Sequence, residues 1–347
     1  LKQVLEFLRG EANLAPVGAG PGPSASPGSN SYDFAEVAGQ RAAKRALEIA
    51  AAGGHNVLLR GPPGVGKTML ARALPTILPP LTRQEALEVT AVHSVAGRLL
   101  AGAGLLESRP FRAPHHSITR VGLVGGGAPI QPGEISLAHH GVLFLDELTE
   151  FRASALEALR QPLEEGKVRI TRAGAQVRYP ACLLLVGAMN PCGCGRLTEV
   201  DRSCDCDPAS VRRHAARLSA PLLDRIDMHV DVPTVEWSVL RAGPGDLESP
   251  AMQQRVRAAR SRANRRSGRP ALLNARLPPR AIRDHCQLGS EADAILRRGS
   301  SAFRLSARAC HRVLRVSRTI ADLAGEDRIR CEHVAEALQF RVRGRAP

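Results

Sequence analysis

The sequence lacks any apolar run that approaches the length needed to cross a bilayer, and no segment resembling a secretion signal stands at its start. These absences argue against an integral membrane protein and a secretory precursor, so we expect a cytoplasmic location and no membrane partner. The chain also lacks an initiator Met, since it begins at Leu1. We therefore expect a fragment whose upstream part is missing.

Lysine is scarce, with four residues among 48 basic side chains, so arginine carries nearly all of the positive charge. The formal net charge of +15 is unevenly distributed. Residues 1–250 hold 26 basic and 25 acidic side chains, whereas residues 251–347 hold 22 arginines and 8 acids. This asymmetry predicts a second domain with an anionic partner, nucleic acid being the first candidate. The alternative is a basic face that meets only solvent.

The stretch GPPGVGKT, residues 61–68, has the pattern Gly-x4-Gly-Lys-Thr of a loop that binds nucleotide phosphates. It lies between an apolar run that predicts a strand and a stretch compatible with a helix, which is the context that such a loop requires. Lys67 is expected to reach the β- and γ-phosphates of ATP, and Thr68 to bind Mg²⁺ through its hydroxyl. The predicted nucleotide-binding residues of this loop are Gly61, Pro62, Pro63, Gly64, Val65, Gly66, Lys67 and Thr68.

Two further apolar runs predict buried strands with polar residues at their ends. The first ends in Asp146 and Glu147, and the second, which starts at Cys182, ends before Asn190. We expect Asp146 to hold the Mg²⁺ shell and Glu147 to orient or deprotonate the attacking water. Asn190 is the candidate sensor that fixes this water near the γ-phosphate. The alternative for the acids is a strand followed by a helix-capping carboxylate.

The segment between these two strands alternates as a β-hairpin, with Arg169, Arg172 and Arg178 at or near its tip. Basic residues that project from a nucleotide-driven core suit contact with a polyanion such as DNA. An exposed charged hairpin that serves only solubility is the alternative.

Four of the eight cysteines are clustered at the spacing C-x-C-x9-C-x-C. In a cytosolic chain, clustered thiols favour a structural zinc site over disulfides. We therefore expect Zn²⁺ as a further cofactor, although redox pairing and unligated thiols remain as alternatives. The predicted ligands are Cys192, Cys194, Cys204 and Cys206.

Two arginines are candidates for catalysis. Arg225 follows a helical Leu-Leu-Asp and is interpreted as an arginine finger that reaches the nucleotide of a neighbouring subunit, whereas a surface ion pair is the alternative. Arg308 stands near the start of a predicted helix from Ala307 to Ala324, capped by Ser306 and ended by Gly325. We expect Arg308 to touch the γ-phosphate of its own chain when the small domain folds over the site.

The chain is long enough for one large and one small domain. Residues 1–32 predict the end of a missing domain, with a short amphipathic helix, and a flexible linker rich in Pro, Gly, Ala and Ser. Residues 33–235 are predicted to form the nucleotide-binding core, which includes the hairpin and the cysteine cluster. Residues 236–347 are predicted to form a basic helical domain.

Together, GPPGVGKT, VLFLDE, the strand before Asn190, LLDRID and SARACHRVLR resemble an AAA+ ATPase. The stretches FRAPHHS, GGGAPIQPGEISLAHHGVLFLDEL, GAMNPCGCG and SAPLLDRIDMHVDVP are similar to the YifB/ComM family of magnesium-chelatase-like AAA+ proteins, over about residues 33–345. The resemblance implies an α/β fold in which a parallel P-loop sheet has helices on both faces and a smaller α-helical lid domain follows. It also implies an upstream domain related to Lon, an insertion in helix 2 that matches Phe111 to Gly127, and a hairpin before the sensor.

In function, the resemblance implies a hexameric DNA helicase that promotes branch migration during integration of transforming DNA. Cys310 replaces the tyrosine-like residue that is usual in the last motif, which leaves Arg308 intact and alters only packing. A chelatase-type motor for metal insertion into a porphyrin is the alternative among enzymes. A nucleotide-gated binding scaffold is the alternative from another class.

Overall fold

The structure is a computed structural model that describes residues 7, 9–10, 32–99, 102, 104–172, 175–197, 204–241, 243, 247–268 and 272–341. The short helix and the linker predicted in residues 1–32 lie outside these residues, apart from positions 7, 9, 10 and 32. Within the described residues, no helix combines the length and the apolar character needed to cross a membrane.

The secondary structure of the described residues alternates between strands and helices. The strands are β1 (Val57–Arg60), β2 (Phe111–Arg112), β3 (Gly125–Gly126), β4 (Gln131–Pro132), β5 (Val142–Leu145), β6 (Lys167–Arg172), β7 (Ala175–Pro180), β8 (Leu184–Met189) and β9 (Met228–Asp231). The helices are α1 (Arg41–Gly53), α2 (Lys67–Ile77), α3 (Arg83–Val95), α4 (Arg120–Val124), α5 (Glu134–Leu137), α6 (Ala153–Glu157), α7 (Arg160–Glu165), α8 (Pro208–Ala216), α9 (Ala220–Leu223), α10 (Trp237–Arg241), α11 (Ser249–Ser267), α12 (Pro279–His285), α13 (Ser290–Ala302), α14 (Ala307–Ala324) and α15 (Cys331–Gln339). Short 3₁₀ turns lie at Phe34–Glu36, Leu148–Glu150 and Asn274–Arg276.

Five strands form the central sheet in the order β2-β5-β8-β1-β9, and every neighbouring pair is parallel. Successive side chains of β5 point to opposite faces, so Val142 and Phe144 join one buried cluster and Leu143 and Leu145 join another. The first cluster includes residues of α1, α2, α11 and α14, and the second includes residues of α4, α5, α6 and α9. The predicted parallel sheet with helices on both faces is therefore confirmed.

The helices after α10 form the C-terminal helical region, and α11 and α14 pack against α1 and α2 of the core. The helix α14 has the predicted bounds, because the Ser306 hydroxyl accepts the backbone N–H of Ala309 at its start and Gly325 ends it at φ 83°. Its apolar face, which includes Val313 and Ile320, is buried in the first cluster. One continuous hydrophobic core thus joins the sheet and the helical region.

A buried polar bridge also joins these two regions. His55, just before β1, places Nε2 2.8 Å from the hydroxyl of Thr319 on α14. Asn274 donates to the same hydroxyl at 3.1 Å and to a carboxylate oxygen of Asp322 at 2.8 Å, and Arg318 pairs with Asp322 at 3.1 Å. All five side chains are buried. Of these contacts, the one between His55 and Thr319 crosses from the sheet to the helical region, so separation of the regions would leave the His55 ring without this partner.

Two small hairpins project beside the sheet. The predicted basic hairpin is present as β6 and β7, with Arg169 directly opposite Arg178 and with its tip in residues 173–174, which lie outside the described residues. The stretch from Phe111 to Gly127, expected as an insertion in helix 2, begins with β2 of the central sheet, so its first two residues belong to the core. It then contains α4 and leads into the β3–β4 hairpin. The two hairpins touch, because the Tyr179 hydroxyl donates to the carbonyl of Ile130 at 3.0 Å.

Candidate nucleotide-binding site

The loop Gly61–Thr68 joins the carboxyl end of β1 to the amino end of α2. Gly66 caps α2 at φ 91°, a backbone conformation that residues with side chains rarely adopt. A Cβ on Gly61 would lie 2.1 Å from the carbonyl oxygen of Val232, so that position has room only for glycine. The loop therefore has the strand-to-helix geometry that presents backbone N–H groups and a helix amino terminus to a phosphate group.

Lys67 is buried beneath this loop. Its Nζ donates to the carbonyl oxygens of Gly61 and Pro62 at 2.7 and 2.6 Å, and to Oδ1 of Asn190 at 3.2 Å. Burial lowers the pKa of Lys67, while the nearby charge of Asp146 opposes this shift. The ammonium is thus held at the edge of the sheet where β1 and β8 end.

Thr68 and Asp146 lie side by side, since the Thr68 hydroxyl donates to Oδ2 of Asp146 at 2.8 Å. Two adjacent oxygen ligands of an octahedral Mg²⁺ ion stand about 3 Å apart, because Mg–O distances are about 2.1 Å. The separation of these two oxygens fits a shared Mg²⁺ shell. Both side chains could hold the ion directly or through water.

Glu147 follows Asp146 at the turn after β5, where its backbone is left-handed at φ 49° and ψ 48°. Its N–H donates to Oδ1 of Asp146 at 2.9 Å, and its side chain is 58% exposed. Oε2 of Glu147 lies 3.1 Å from Nδ1 of His116, a contact that the sequence did not predict. The carboxylate is therefore accessible at the same sheet edge as Lys67 and Asp146.

Arg225 and Arg308 do not lie beside this loop. Both line a cleft of about 500 Å³ that also includes Asn56, Leu183 and Asp227, the residues just before β1, β8 and β9. This cleft is at the amino edge of the parallel sheet, whereas the phosphate loop is at the carboxyl edge. The structure thus places Arg308 away from its own phosphate loop, unlike the expectation drawn from the sequence.

Contacts within the chain hold Arg225 in this cleft. It donates to the carbonyl oxygens of Arg160 and Pro221 at 3.1 and 2.7 Å, and to a carboxylate oxygen of Glu164 at 2.6 Å. That hydrogen bond lowers the pKa of Glu164, and the positive charge of Arg308 contributes to the shift. The structure therefore groups the two predicted catalytic arginines around one carboxylate.

The hairpin arginines are exposed, as predicted. Arg169 pairs with Glu165 at 2.9 Å. Among the described residues, Arg172 and Arg178 have no such ion pair, so their side chains are less restrained. Surface pairs of this kind contribute about 0 to 1 kcal/mol, so Arg169 can exchange its partner for another anion.

The four clustered cysteines converge, although residues 198–203 of the connecting segment lie outside the described residues. The sulfur atoms of Cys192, Cys194 and Cys204 are 3.4 to 3.6 Å apart, and with Cys206 all four lie within 4.8 Å of one another. A tetrahedral zinc with Zn–S distances of about 2.3 Å needs sulfur atoms about 3.8 Å apart. A backbone hydrogen bond from Arg196 and the neighbouring thiols lower the pKa of Cys194 to about 6. The cluster therefore fits a tetrathiolate zinc site.

A second cluster, not predicted from the sequence, joins α3 to the start of β5. Nε2 of His139 and Nε2 of His140 lie 3.1 and 2.8 Å from the same oxygen of Glu88. The backbone N–H of Cys182 donates to Nδ1 of His139 at 3.0 Å, so the proton of the neutral ring is on Nε2. Burial lowers the pKa of His139 to about 4. A protonated Nε2 offers no lone pair to a metal, so this cluster is a hydrogen-bonded support for β5.

Gln40 lies just before α1 with left-handed backbone at φ 49°. Its amide donates to the carbonyl oxygens of Val65 at 3.2 Å and Pro233 at 2.7 Å. Gln40 thus ties the phosphate loop to the segment after β9. No local pattern in the sequence distinguishes a glutamine in this role, because both of its partners are distant along the chain.

Comparisons with known proteins agree with this geometry. Residues 33–240 match the family model described as magnesium chelatase, subunit ChlI, and residues 246–341 match the model of its C-terminal part. Competence protein ComM of Haemophilus influenzae is 44% identical over 345 residues, covering 99% of this chain and 67% of ComM. YifB of Escherichia coli is 45% identical over 314 residues, covering 90% of this chain and 60% of YifB. The 67 kDa magnesium-chelatase subunit of Heliobacterium mobile is 29% identical over 229 residues, covering 58% of this chain and 31% of that subunit.

The fold and the matched sequences define an AAA+ P-loop protein of the ATPase-motor type. Within that class, the chain belongs to the YifB/ComM family of magnesium-chelatase-like proteins.

Proposed function

We propose that the chain is an ATP-hydrolysing motor that assembles as a hexamer and acts on single-stranded or branched DNA. In this proposal it is a helicase or branch-migration factor in the recombination of transforming DNA. The observation that carries the ATPase part is the convergence of Lys67, Thr68, Asp146 and Asn190 within hydrogen-bond distances at one sheet edge. Relatives that include a competence protein support the DNA part.

Each residue at the carboxyl edge has a separate task in this proposal. The backbone of the phosphate loop and the Lys67 ammonium bind the phosphates of ATP. Thr68 and Asp146 hold Mg²⁺, which when bound neutralises charge on the β- and γ-phosphate oxygens. Glu147 accepts a proton from the attacking water, and Asn190 orients that water from the end of β8.

Glu147→Gln should lower kcat for ATP hydrolysis by about 10²- to 10⁴-fold, because the amide cannot accept the water proton. Binding of Mg-ATP should persist in this variant, whereas Lys67→Ala should lose the binding itself. Steady-state hydrolysis and equilibrium nucleotide binding measure the two effects. Glu150→Gln is the matched control, since Glu150 is an exposed neighbour that pairs with Arg217 and should leave kcat unchanged. Near-parental hydrolysis by Glu147→Gln would contradict the assignment.

The amino-edge cleft is proposed to face the nucleotide of a neighbouring subunit. Arg225 and Arg308 share this cleft, at the edge of the sheet opposite to the edge that carries their own phosphate loop. Arginines that stabilise the charge of a transferred phosphoryl group can be supplied by a second chain. In this proposal both arginines act at the same shared site, and Arg308 does not act on the nucleotide of its own chain.

Mixing an Arg225→Ala chain with a Lys67→Ala chain should therefore restore part of the activity that each variant lacks alone. Mixed assemblies contain some sites in which an intact loop meets an intact arginine. The measurement is ATPase rate against mixing ratio, with each variant alone as the baseline. If the mixture showed only the sum of the two single variants, Arg225 would act within its own chain or only in structure.

The cysteine cluster is proposed to bind one structural zinc ion. Its four sulfur atoms have the spacing that a tetrathiolate site needs, and the cluster begins two residues after Asn190. The pKa of Cys194 is lowered, whereas the pKa of Cys204 and that of Cys206 are raised, so zinc binding at neutral pH would release protons from these ligands. The ion would fix the segment that follows the sensor residue.

Elemental analysis of the purified protein should find about one zinc ion per chain. Cys204→Ser should lose this metal and lower the thermal midpoint, since binding of structural zinc contributes directly to folding. Cys331→Ser is the control, because Cys331 lies in the helical region outside the cluster. A purified protein that is folded but contains no zinc would contradict the proposal.

The DNA-binding surface is proposed to include the exposed arginines of the β6–β7 hairpin and the basic C-terminal region. Neutralised phosphates release counterions, so binding to such a surface weakens steeply as salt rises. A chelatase-type motor is the second candidate, favoured by the family models and by the similarity to the 67 kDa subunit. The two candidates differ in whether DNA changes the ATPase rate.

The triple substitution of Arg169, Arg172 and Arg178 by Ala should reduce DNA affinity and DNA-stimulated hydrolysis while it spares basal hydrolysis. It should also reduce the slope of log affinity against log salt by about 2 for single-stranded DNA. Replacement of the exposed Arg83, Arg212 and Arg213 by Ala is the charge-matched control outside the hairpin. An ATPase rate that DNA leaves unchanged, or a slope equal in both triple variants, would favour the chelatase-type motor.

A further inference from the structure

A cavity of about 210 Å³ lies between the amino edge of the central sheet and the C-terminal helical region. Gly141, before β5, and Cys182, before β8, line it from the sheet, and Leu273 and Arg276 line it from the helical region. A water molecule takes up about 30 Å³ in the liquid, so this cavity has room for a small organic molecule.

This cavity differs in its chemistry from the larger cleft that holds Arg225 and Arg308. Gly54, Leu183 and Arg276 line both spaces, so the two adjoin. Neither Arg225 nor Arg308 lines the smaller cavity. Its polar groups are therefore not the ones proposed to act on the nucleotide of a neighbouring subunit.

Much of the wall of this cavity is apolar. Leucine side chains reach it from the end of α2, from the start of β8 and from the segment before the 3₁₀ turn at Asn274. They are buried or partly buried, so they offer a surface that water wets poorly. Apolar walls with a few polar groups are typical of sites for small organic molecules. The four leucines are Leu78, Leu183, Leu184 and Leu273.

The polar groups of the wall carry an excess of positive charge. Glu85 is the one carboxylate in the described lining, and it lies 3.2 Å from Nη2 of Arg109 and 3.5 Å from Nδ1 of His140. Its charge is therefore already matched. Arg260 and Arg276 also line the cavity, and neither forms an ion pair within the described part of the chain.

Arg260 is a partly buried cation without an anion. Its Nε and Nη2 both donate to the carbonyl oxygen of Ala51, at 2.9 and 2.6 Å, near the end of α1. The carboxyl end of a helix carries about half a unit of negative charge, so this contact balances the guanidinium only in part. Burial and the charge of Arg109 lower the pKa of Arg260 to about 9, and Glu85 opposes this shift. No hydrogen-bond acceptor for Nη1 is found among the described residues.

We propose that this cavity binds a small organic anion, with a carboxylate or phosphate head group paired with Arg260 and an apolar body against the leucines. A guanidinium presents N–H groups in a planar fork that matches either head group. Arg276 adds to the positive field from the side where the cavity adjoins the larger cleft. The inference does not depend on the proposed motor function, because no group of the phosphate-loop edge enters it.

Hexanoate and hexyl phosphate carry the two head groups on the same apolar body, and hexanamide is an uncharged analogue. Titration calorimetry of the whole chain at about 0.15 M salt should give a Kd of about 1 mM or lower for at least one of the anions, a range that ligands of about ten non-hydrogen atoms reach. Hexanamide should bind at least about tenfold more weakly, because hydrogen bonds between ions are the stronger ones. The tighter of the two anions identifies the head group.

Arg260→Met should weaken binding of this anion by about tenfold or more, since the paired cation is lost. Arg276→Glu should weaken it by about tenfold as well, because a negative charge then stands beside the cavity. Arg257→Met and Arg257→Glu are the matched controls on α11, since Arg257 is exposed and lies outside the lining. Their Kd should stay within about twofold of the parent value, because solvent and salt screen an exposed charge.

Cys182 reports where the anion binds, because its Sγ lines the cavity and accepts a hydrogen bond from Nη1 of Arg276 at 2.8 Å. A saturating concentration of the anion should slow alkylation of Cys182 by iodoacetamide. Alkylation of Cys331, on α15, should not change. Mass spectrometry of the digested protein measures the two rates separately.

Failure of both anions to bind, equal affinity for hexanamide, parental affinity in Arg276→Glu, or an unchanged alkylation rate of Cys182 would each overturn the proposal. Arg260 also holds the end of α1, so Arg260→Met can fail to fold. Arg276→Glu then decides, because Arg276 is exposed and its described hydrogen bond goes only to Cys182. None of these measurements uses ATP hydrolysis, so a negative result leaves the proposed motor function standing.

Discussion

All neighbouring strands of the central sheet run in the same direction, and the rest of the site depends on this constraint. Parallel strands end at a common edge, so the residues that follow β1, β5 and β8 meet although they are far apart in sequence. The 3.2 Å contact between Lys67 and Asn190 and the 2.8 Å contact between Thr68 and Asp146 join all three strand ends. An antiparallel neighbour in the middle of this sheet would place one of these groups at the opposite edge.

The strand that ends in Asp146 is fixed at both ends by polar contacts of different kinds. At its start, His139 and His140 share one oxygen of Glu88, and partial burial of that carboxylate is outweighed by hydrogen bonds that lower its pKa to about 2. At its end, Asp146 faces the phosphate loop. The apolar residues between them are buried on both faces of the sheet. The position of the acidic motif is therefore set by the whole strand and by the helix α3 that carries Glu88.

Local patterns in the sequence were sufficient for α14, for the strands beside the phosphate loop and for the carboxyl-edge residues. Periodicity and capping gave the bounds of α14, and the phosphate-loop pattern identified residues that do lie together in the structure. The surroundings of Arg308 could not be obtained in this way, because they depend on how α14 packs across α1. The contact between His116 and Glu147 and the tie formed by Gln40 also escaped prediction, since each joins segments separated by 25 residues or more. Spacing rules describe neighbours along a helix or strand, and these contacts are made between elements.

The buried bridge between the sheet and the helical region has a mechanical consequence. Of its contacts, the one between His55 and Thr319 crosses the boundary, while Asn274 bonds Thr319 and Asp322 from within the helical region. A hinge at this boundary would leave the His55 ring without this partner and would open the hydrophobic core that the two regions share, so the two regions should move as one rigid body. In an assembly of such chains, bending would occur mainly at the interfaces between subunits. A small rotation at one interface would then displace the arginine-lined edge of a chain in proportion to the distance of that edge from the interface.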